Sequence, residues 1–87
     1  MQKITETQLK SLKKGSLISG KTRFGGKLTL RVTSMFRTLK NGVGVVRMLD
    51  INNPLGAKYS YYLRVGGHIG LAFSDMPTAL DIESITL

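Results

Sequence analysis

Gly15-Ser16-Leu17-Ile18-Ser19-Gly20-Lys21-Thr22 matches the phosphate-loop pattern G-x-x-x-x-G-K-[ST] at every specified position. Such a loop leaves a strand, wraps phosphate with backbone N–H groups and enters a helix, while the lysine and the hydroxyl complete the phosphate and Mg²⁺ contacts. Residues 43–50 extend the likeness with an apolar run ending in Asp50, the residue type that would hold the magnesium. The surroundings contradict this chemistry. A helical pattern precedes Gly15, and residues 23–30 read as a turn and then a strand. A nucleotide fold of that kind also needs several βα units of about 30 residues each. Gly15 is better read as a helix stop and Gly20 as a strand glycine at a bend or bulge.

A second constellation is basic. Lys21, Arg23, Lys27, Arg31, Arg37 and Lys40 follow one another closely, with Phe24 in the first turn among them. Cationic side chains neutralise phosphates and release counterions, and an exposed aromatic ring stacks on an unpaired base. Further on, Lys58, Ser60, Tyr62 and Arg64 share one face of a strand, placing an aromatic ring between two cations. The opposite face, Ala57, Tyr59, Tyr61, Leu63 and Val65, reads as core or core rim. The plainer account is that the charges decorate a solvated face and that Tyr62 covers a neighbouring strand with its hydroxyl wet.

Other chemistry is poorly supplied. The chain has no cysteine and a single histidine, so no disulfide framework, thiolate site or ordinary zinc set can be assembled, and neither metal nor cofactor is expected. His68 follows Gly66-Gly67 without a nucleophile or carboxylate at triad spacing and reads as a solvated turn residue. Asp81 and Glu83 share a face of an extended C-terminal segment, but paired carboxylates outside a cleft point to ion pairing rather than acid–base catalysis.

Charge sets the partner class. Thirteen Lys and Arg against five Asp and Glu leave a net charge of +8. Residues 1–49 carry eleven basic side chains and one acid, whereas residues 50–87 carry two and four. Such an imbalance biases a protein towards polyanions. No apolar run approaches the ~20 residues of a membrane-crossing helix, and the first fourteen residues lack the apolar core of a signal peptide. The expectation is a cytoplasmic protein without a membrane partner.

The elements that must carry these residues begin with a helix. Thr5 and Gln8 form a capping-box pair, Ile4 and Leu9 occupy the staple positions, and Leu9 and Leu12 make an apolar stripe, predicting a helix over 5–14 that ends at Gly15. After Gly15 the period becomes alternating, and turn signals recur at Gly25-Gly26, Asn41-Gly42, residues 52–56 and Gly66-Gly67. Asn41-Gly42 predicts a two-residue hairpin loop. That loop would pair Lys40 with Val43, Arg37 with Val46, Met35 with Met48 and Thr33 with Asp50. Leu28, Leu30, Val32 and Phe36 share a parity, but Val43, Val45, Leu49 and Ile51 would enclose Arg47 on an inner face, so a bend or bulge is required. Residues near 75–80 predict a single helical turn, followed by a last strand over 81–87.

One domain over 1–87 results: a helix, five strands in a meander over residues 16–74, a helical turn and a closing strand. Closing the sheet is the cheapest way to remove exposed edges. This mainly β architecture, an antiparallel barrel with one N-terminal helix, resembles the small SH3-like and Sm-like barrels. The expected function is non-enzymatic nucleic-acid binding, single- or double-stranded. The basic face would contact phosphates, and Phe24 or Tyr62 would stack. The competing expectation is an interaction module or small inhibitor that docks the same face on an acidic protein.

Overall fold

The computed structural model describes residues 3–56, 58–74 and 76–87. Helix α1 spans Glu6–Ser11 and opens on the capping box read from the sequence. Gln8 N–H donates to Thr5 Oγ1 at 3.2 Å, and Thr5 N–H donates to Gln8 Oε1 at 2.9 Å. The helix is shorter than the expected 5–14, because Leu12 is already extended and the next residues are held by other partners. Lys13 N–H donates to Ser16 Oγ at 2.8 Å, and Gly15 N–H donates to the Val32 carbonyl at 2.8 Å. Gly15 does adopt positive φ, at 97°, but in the turn that starts the sheet rather than at the helix end. Ile4, Leu9 and Leu12 are buried in the main core, so the short helix is stabilised by packing.

Seven strands follow: β1 Leu17–Thr22, β2 Lys27–Thr38, β3 Gly44–Asp50, β4 Tyr59–Leu63, β5 Ile69–Phe73, β6 Met76–Thr78 and β7 Leu80–Thr86. They form one antiparallel sheet in the order β6-β5-β4-β3-β2-β1-β7. The chain passes from β6 at one edge to β7 at the other through Ala79 alone. One residue spans only ~3.5 Å, so the two edges must meet at that corner and the sheet must curl. The result is a curled half-barrel, mainly β, with one short helix. Its concave side holds Ile18, Leu30, Val32, Val46 and Met48, all nearly inaccessible to solvent. Each such side chain contributes roughly 1.5–3 kcal/mol by its removal from water.

Two expectations are corrected. The helical turn near 75–80 is absent where it can be judged: Asp75 lies outside the described residues, and Met76–Thr78 pairs with β5 as an edge strand. Pro77 lacks an N–H to donate and is tolerated at an edge. Ala57, placed at the start of a strand over 57–65, also lies outside the described residues, and the observed strand is Tyr59–Leu63.

The β2–β3 hairpin departs further. Leu39 N–H donates to the Val43 carbonyl and Gly42 N–H to the Leu39 carbonyl, so three residues lie in the loop and Gly42 (φ 85°) takes the left-handed position. Arg37 pairs with Val45, Ser34 with Arg47 and Val32 with Met48, with register shifts on both sides of Ser34. The required bulge therefore exists twice. Thr33 Oγ1 donates to the Arg47 carbonyl at 3.2 Å within this irregular stretch. The shifts put Val46 and Met48 in the core and Arg47 outside, the reverse of the parity suggested by Val43, Val45, Leu49 and Ile51. The bulge expected at Gly20 is found between Ser19 and Gly20 in the β1–β7 ladder.

Candidate nucleic-acid interface

Residues directly opposite in an antiparallel ladder share a face, so register and burial together locate the cations. Since Leu28, Leu30 and Val32 point inward, Lys27 and Arg31 point outward; since Val46 and Met48 point inward, Arg47 points outward. Arg31 lies opposite Leu49, and Arg47, two residues from Leu49, lies opposite Ser34 on β2 and Ser60 on β4. Arg37 lies opposite Val45, which on its other side lies opposite Tyr62. Arg31, Arg47 and Arg37 thus follow one another diagonally across the β2–β3 ladder, with successive neighbours on the order of 7–8 Å apart. Arg64 stands two residues beyond Tyr62 on the same side, roughly 7 Å along the chain. Half-buried Tyr62 therefore has Arg64 beyond it along the chain, Arg47 diagonal to it on β3 and Arg37 two strands away across Val45.

Beside Tyr62 runs a shallow groove of about 200 Å³, lined in part by Arg64, Gly70, Ala72, Ser74 and Pro77. Gly70, opposite Tyr62 on β5, has open space where a side chain would lie. A flat group could rest against the tyrosine there, with the Arg64 guanidinium at the groove and Arg47 on the opposite, β3 side of the ring.

The other proposed residues form a second group at the β1–β2 hairpin. Lys21 and Lys27 lie directly opposite each other, and Arg23 and Phe24 occupy the turn beyond them. Phe24 is 92% exposed, so its ring is free to stack. Asp81 faces Lys21 from β7, which brings part of the acidic C-terminal segment alongside the basic hairpin. Between the two groups Ser19 and Thr29 share a hydroxyl hydrogen bond of 3.0 Å, leaving a neutral stripe on this face.

Lys40 and Lys58 are more peripheral. Lys40 is in the β2–β3 loop, which abuts the β4–β5 turn where Gly42 approaches Val65, so Lys40 and Arg64 belong to the same end. Lys58 precedes β4 at the other end, where its carbonyl accepts from Ser74 N–H at 2.8 Å. The structure thus groups Arg31, Arg37, Tyr62 and Arg64, adds Arg47, and separates Phe24 from Tyr62. Sequence parity missed Arg47; the apolar pair Val46 and Met48 flanking it was the usable signal.

The cations of the band, Arg31, Arg37 and Arg47, are exposed, as is Arg64. Lys10 approaches Glu6 to 4.0 Å on the helix, whereas Arg31, Arg37, Arg47 and Arg64 form no ion pair with a described carboxylate. The phosphate-loop pattern, by contrast, is a turn at Gly15 running into strand from Leu17 to Thr22: Gly20 pairs with Leu28 and Ile82, its backbone lies against Asp81, and β2 follows instead of a helix. The backbone donors a phosphate would need are engaged in ladders. His68 is an exposed turn residue whose carbonyl accepts from Arg64 N–H at 2.7 Å. No group of three or more His, Cys, Asp or Glu side chains among the described residues could hold a metal. No described helix is long and apolar enough to cross a membrane.

Two tyrosines titrate abnormally. Burial pushes the Tyr61 phenol up to about 12, and burial with the nearby Asp50 carboxylate raises Tyr59. Both therefore stay protonated near neutrality, which leaves each hydroxyl its proton to donate. Comparison of the chain with protein-family models, curated proteins and solved structures finds no match.

Proposed function

We propose that this chain is a non-enzymatic, cytoplasmic nucleic-acid-binding module, a small barrel of the SH3-like or Sm-like kind. It would bind through its basic outer face. The reading is carried by one observation: Arg37, Arg47 and Arg64 share the outer face with half-exposed Tyr62 and form no ion pair with a described carboxylate. Guanidinium groups neutralise phosphates, and the ring offers a platform for an unpaired base. Lys21, Arg23, Phe24 and Lys27 extend the track at the hairpin, with Lys40 and Lys58 at its margins. Recognition of this kind reads backbone charge and base faces rather than base edges, and it predicts weak sequence preference. The barrel comparison is supported by the N-terminal helix, the meander and the return of the last strand to β1.

Fluorescence anisotropy against labelled single-stranded DNA, duplex DNA and RNA at about 50 and 200 mM salt tests the proposal. Binding that weakens steeply with salt is expected, with single strands favoured if Tyr62 stacks. Absence of affinity for every polynucleotide at the lower salt rejects it and leaves an acidic protein as the partner for the same face.

A further inference from the structure

Tyr61 and Tyr62 are adjacent and point to opposite sides of β4, and the inward one leads to a different site. A cavity of about 360 Å³ opens where the segment before α1, the β4–β5 turn, β5 and the β6–β7 corner approach one another. This places it at the low end of the ~300–1,000 Å³ typical of small-ligand sites. Its apolar wall is aliphatic, made by Ile4, Ile69, Leu71 and Leu80. Its polar lining includes Lys3, His68, Thr78 and Tyr61, and no described lining residue is acidic. Tyr61 is 4% exposed. Every fully buried side-chain oxygen among the described residues has a partner, yet the Tyr61 hydroxyl is in none of the hydrogen bonds among them, so it reaches the cavity. A phenol so placed is a donor waiting for an acceptor.

We propose that this cavity binds a medium-chain monocarboxylate, its hydrocarbon chain against Ile4, Ile69, Leu71 and Leu80 and its carboxylate taken by Lys3 and the Tyr61 hydroxyl. The acceptor chemistry follows from a lining that offers a cation and a phenolic donor without an acid. The alkyl body follows from aliphatic walls that provide no second aromatic plane to sandwich a ring. A chain of about ten carbons suits a void of this size. This inference is independent of the basic outer face, since Lys3 and Tyr61 belong to neither group of proposed nucleic-acid contacts.

Isothermal titration of the full chain with decanoate, below its micellar concentration, tests it, with butyrate and decanol as controls. Saturable one-site binding of decanoate is expected, with each control at least about tenfold weaker, because one lacks the chain and the other the charge. Lys3→Glu reverses an exposed charge and should lower decanoate affinity about tenfold without changing the melting temperature of the free protein. Tyr61→Phe should lower it to a similar degree. No saturable decanoate binding, butyrate binding as tight as decanoate, or wild-type affinity in Lys3→Glu overturns the proposal. Polynucleotide affinity of Lys3→Glu should stay within about twofold of wild type, so either reading can fail without the other.

Discussion

Replacing Arg31, Arg37 and Arg47 together with alanine tests the diagonal band on the β2–β3 ladder. All three side chains are exposed and none is in an ion pair with a described carboxylate, so the fold should survive, with circular dichroism and melting temperature close to wild type. If each guanidinium neutralises one phosphate, the dependence of log K on log salt should flatten by about 2 for a single strand and about 2.7 for duplex DNA. Over a fourfold rise in salt, from about 50 to 200 mM, a slope difference of about 2 is a factor of about sixteen. The wild type's advantage in single-strand affinity over the variant should therefore shrink about sixteenfold across that range, equivalent to about 1.6 kcal/mol. Anisotropy titrations at four or five salt concentrations with one labelled oligonucleotide read this directly. An unchanged slope refutes the phosphate assignment even if affinity falls. A parallel Arg23→Ala, Lys27→Ala variant measures the hairpin group separately, and a flattening confined to that variant would move the interface away from Tyr62.

Tyr62→Ala should weaken single-strand binding by about 1–3 kcal/mol while leaving the salt slope nearly unchanged; an equal loss on duplex DNA would argue against base stacking. Leu30→Ala removes a wholly buried side chain from the concave face and should cost about 2–5 kcal/mol in urea unfolding, with a loss below about 1 kcal/mol contradicting its place in the core. Gly20→Val would force a side chain into the Asp81 backbone at the β1–β7 bulge, so the variant should melt well below wild type, whereas Gly70→Val, facing open space, should not. The Tyr61 phenol is raised from 10.0 to about 12, so its contribution to stability is complete below pH 10 and is lost between about pH 10 and 12, where the unfolded chain ionises first. That loss is about 2–3 kcal/mol, and Tyr61→Phe should remove that part of the decline; an identical alkaline profile in the variant would disprove it.

Local signals carried the reading of the elements. The Thr5–Gln8 capping box, the positive φ at Gly15, the turns and the inward row Leu28, Leu30 and Val32 each depend on a few neighbouring residues, and each is found. The candidate site was half legible. Exposed cations on alternating strands could be named one by one, but their grouping could not, because it depends on which strand lies opposite which. Arg47 is the clearest case. A two-residue loop at Asn41-Gly42 would have given one register, and the longer loop with two shifts around Ser34 gives another, moving Val46 and Met48 inward and Arg47 out. A one-residue slip exchanges the two faces of a strand, so a small error at a turn becomes a complete error in orientation.

A basic, mainly β chain with a capped N-terminal helix is legible without any tertiary contact, since net charge, alternation and turn chemistry are local properties. The pairing of Met76–Thr78 as an edge strand, the return of β7 to β1, and the placement of Tyr61 at a cavity and Tyr62 on the face of the cations follow from the folded sheet. These outcomes rest on hydrogen bonds and burial between segments far apart in the chain. Their geometry is settled only when the whole sheet curls around one core.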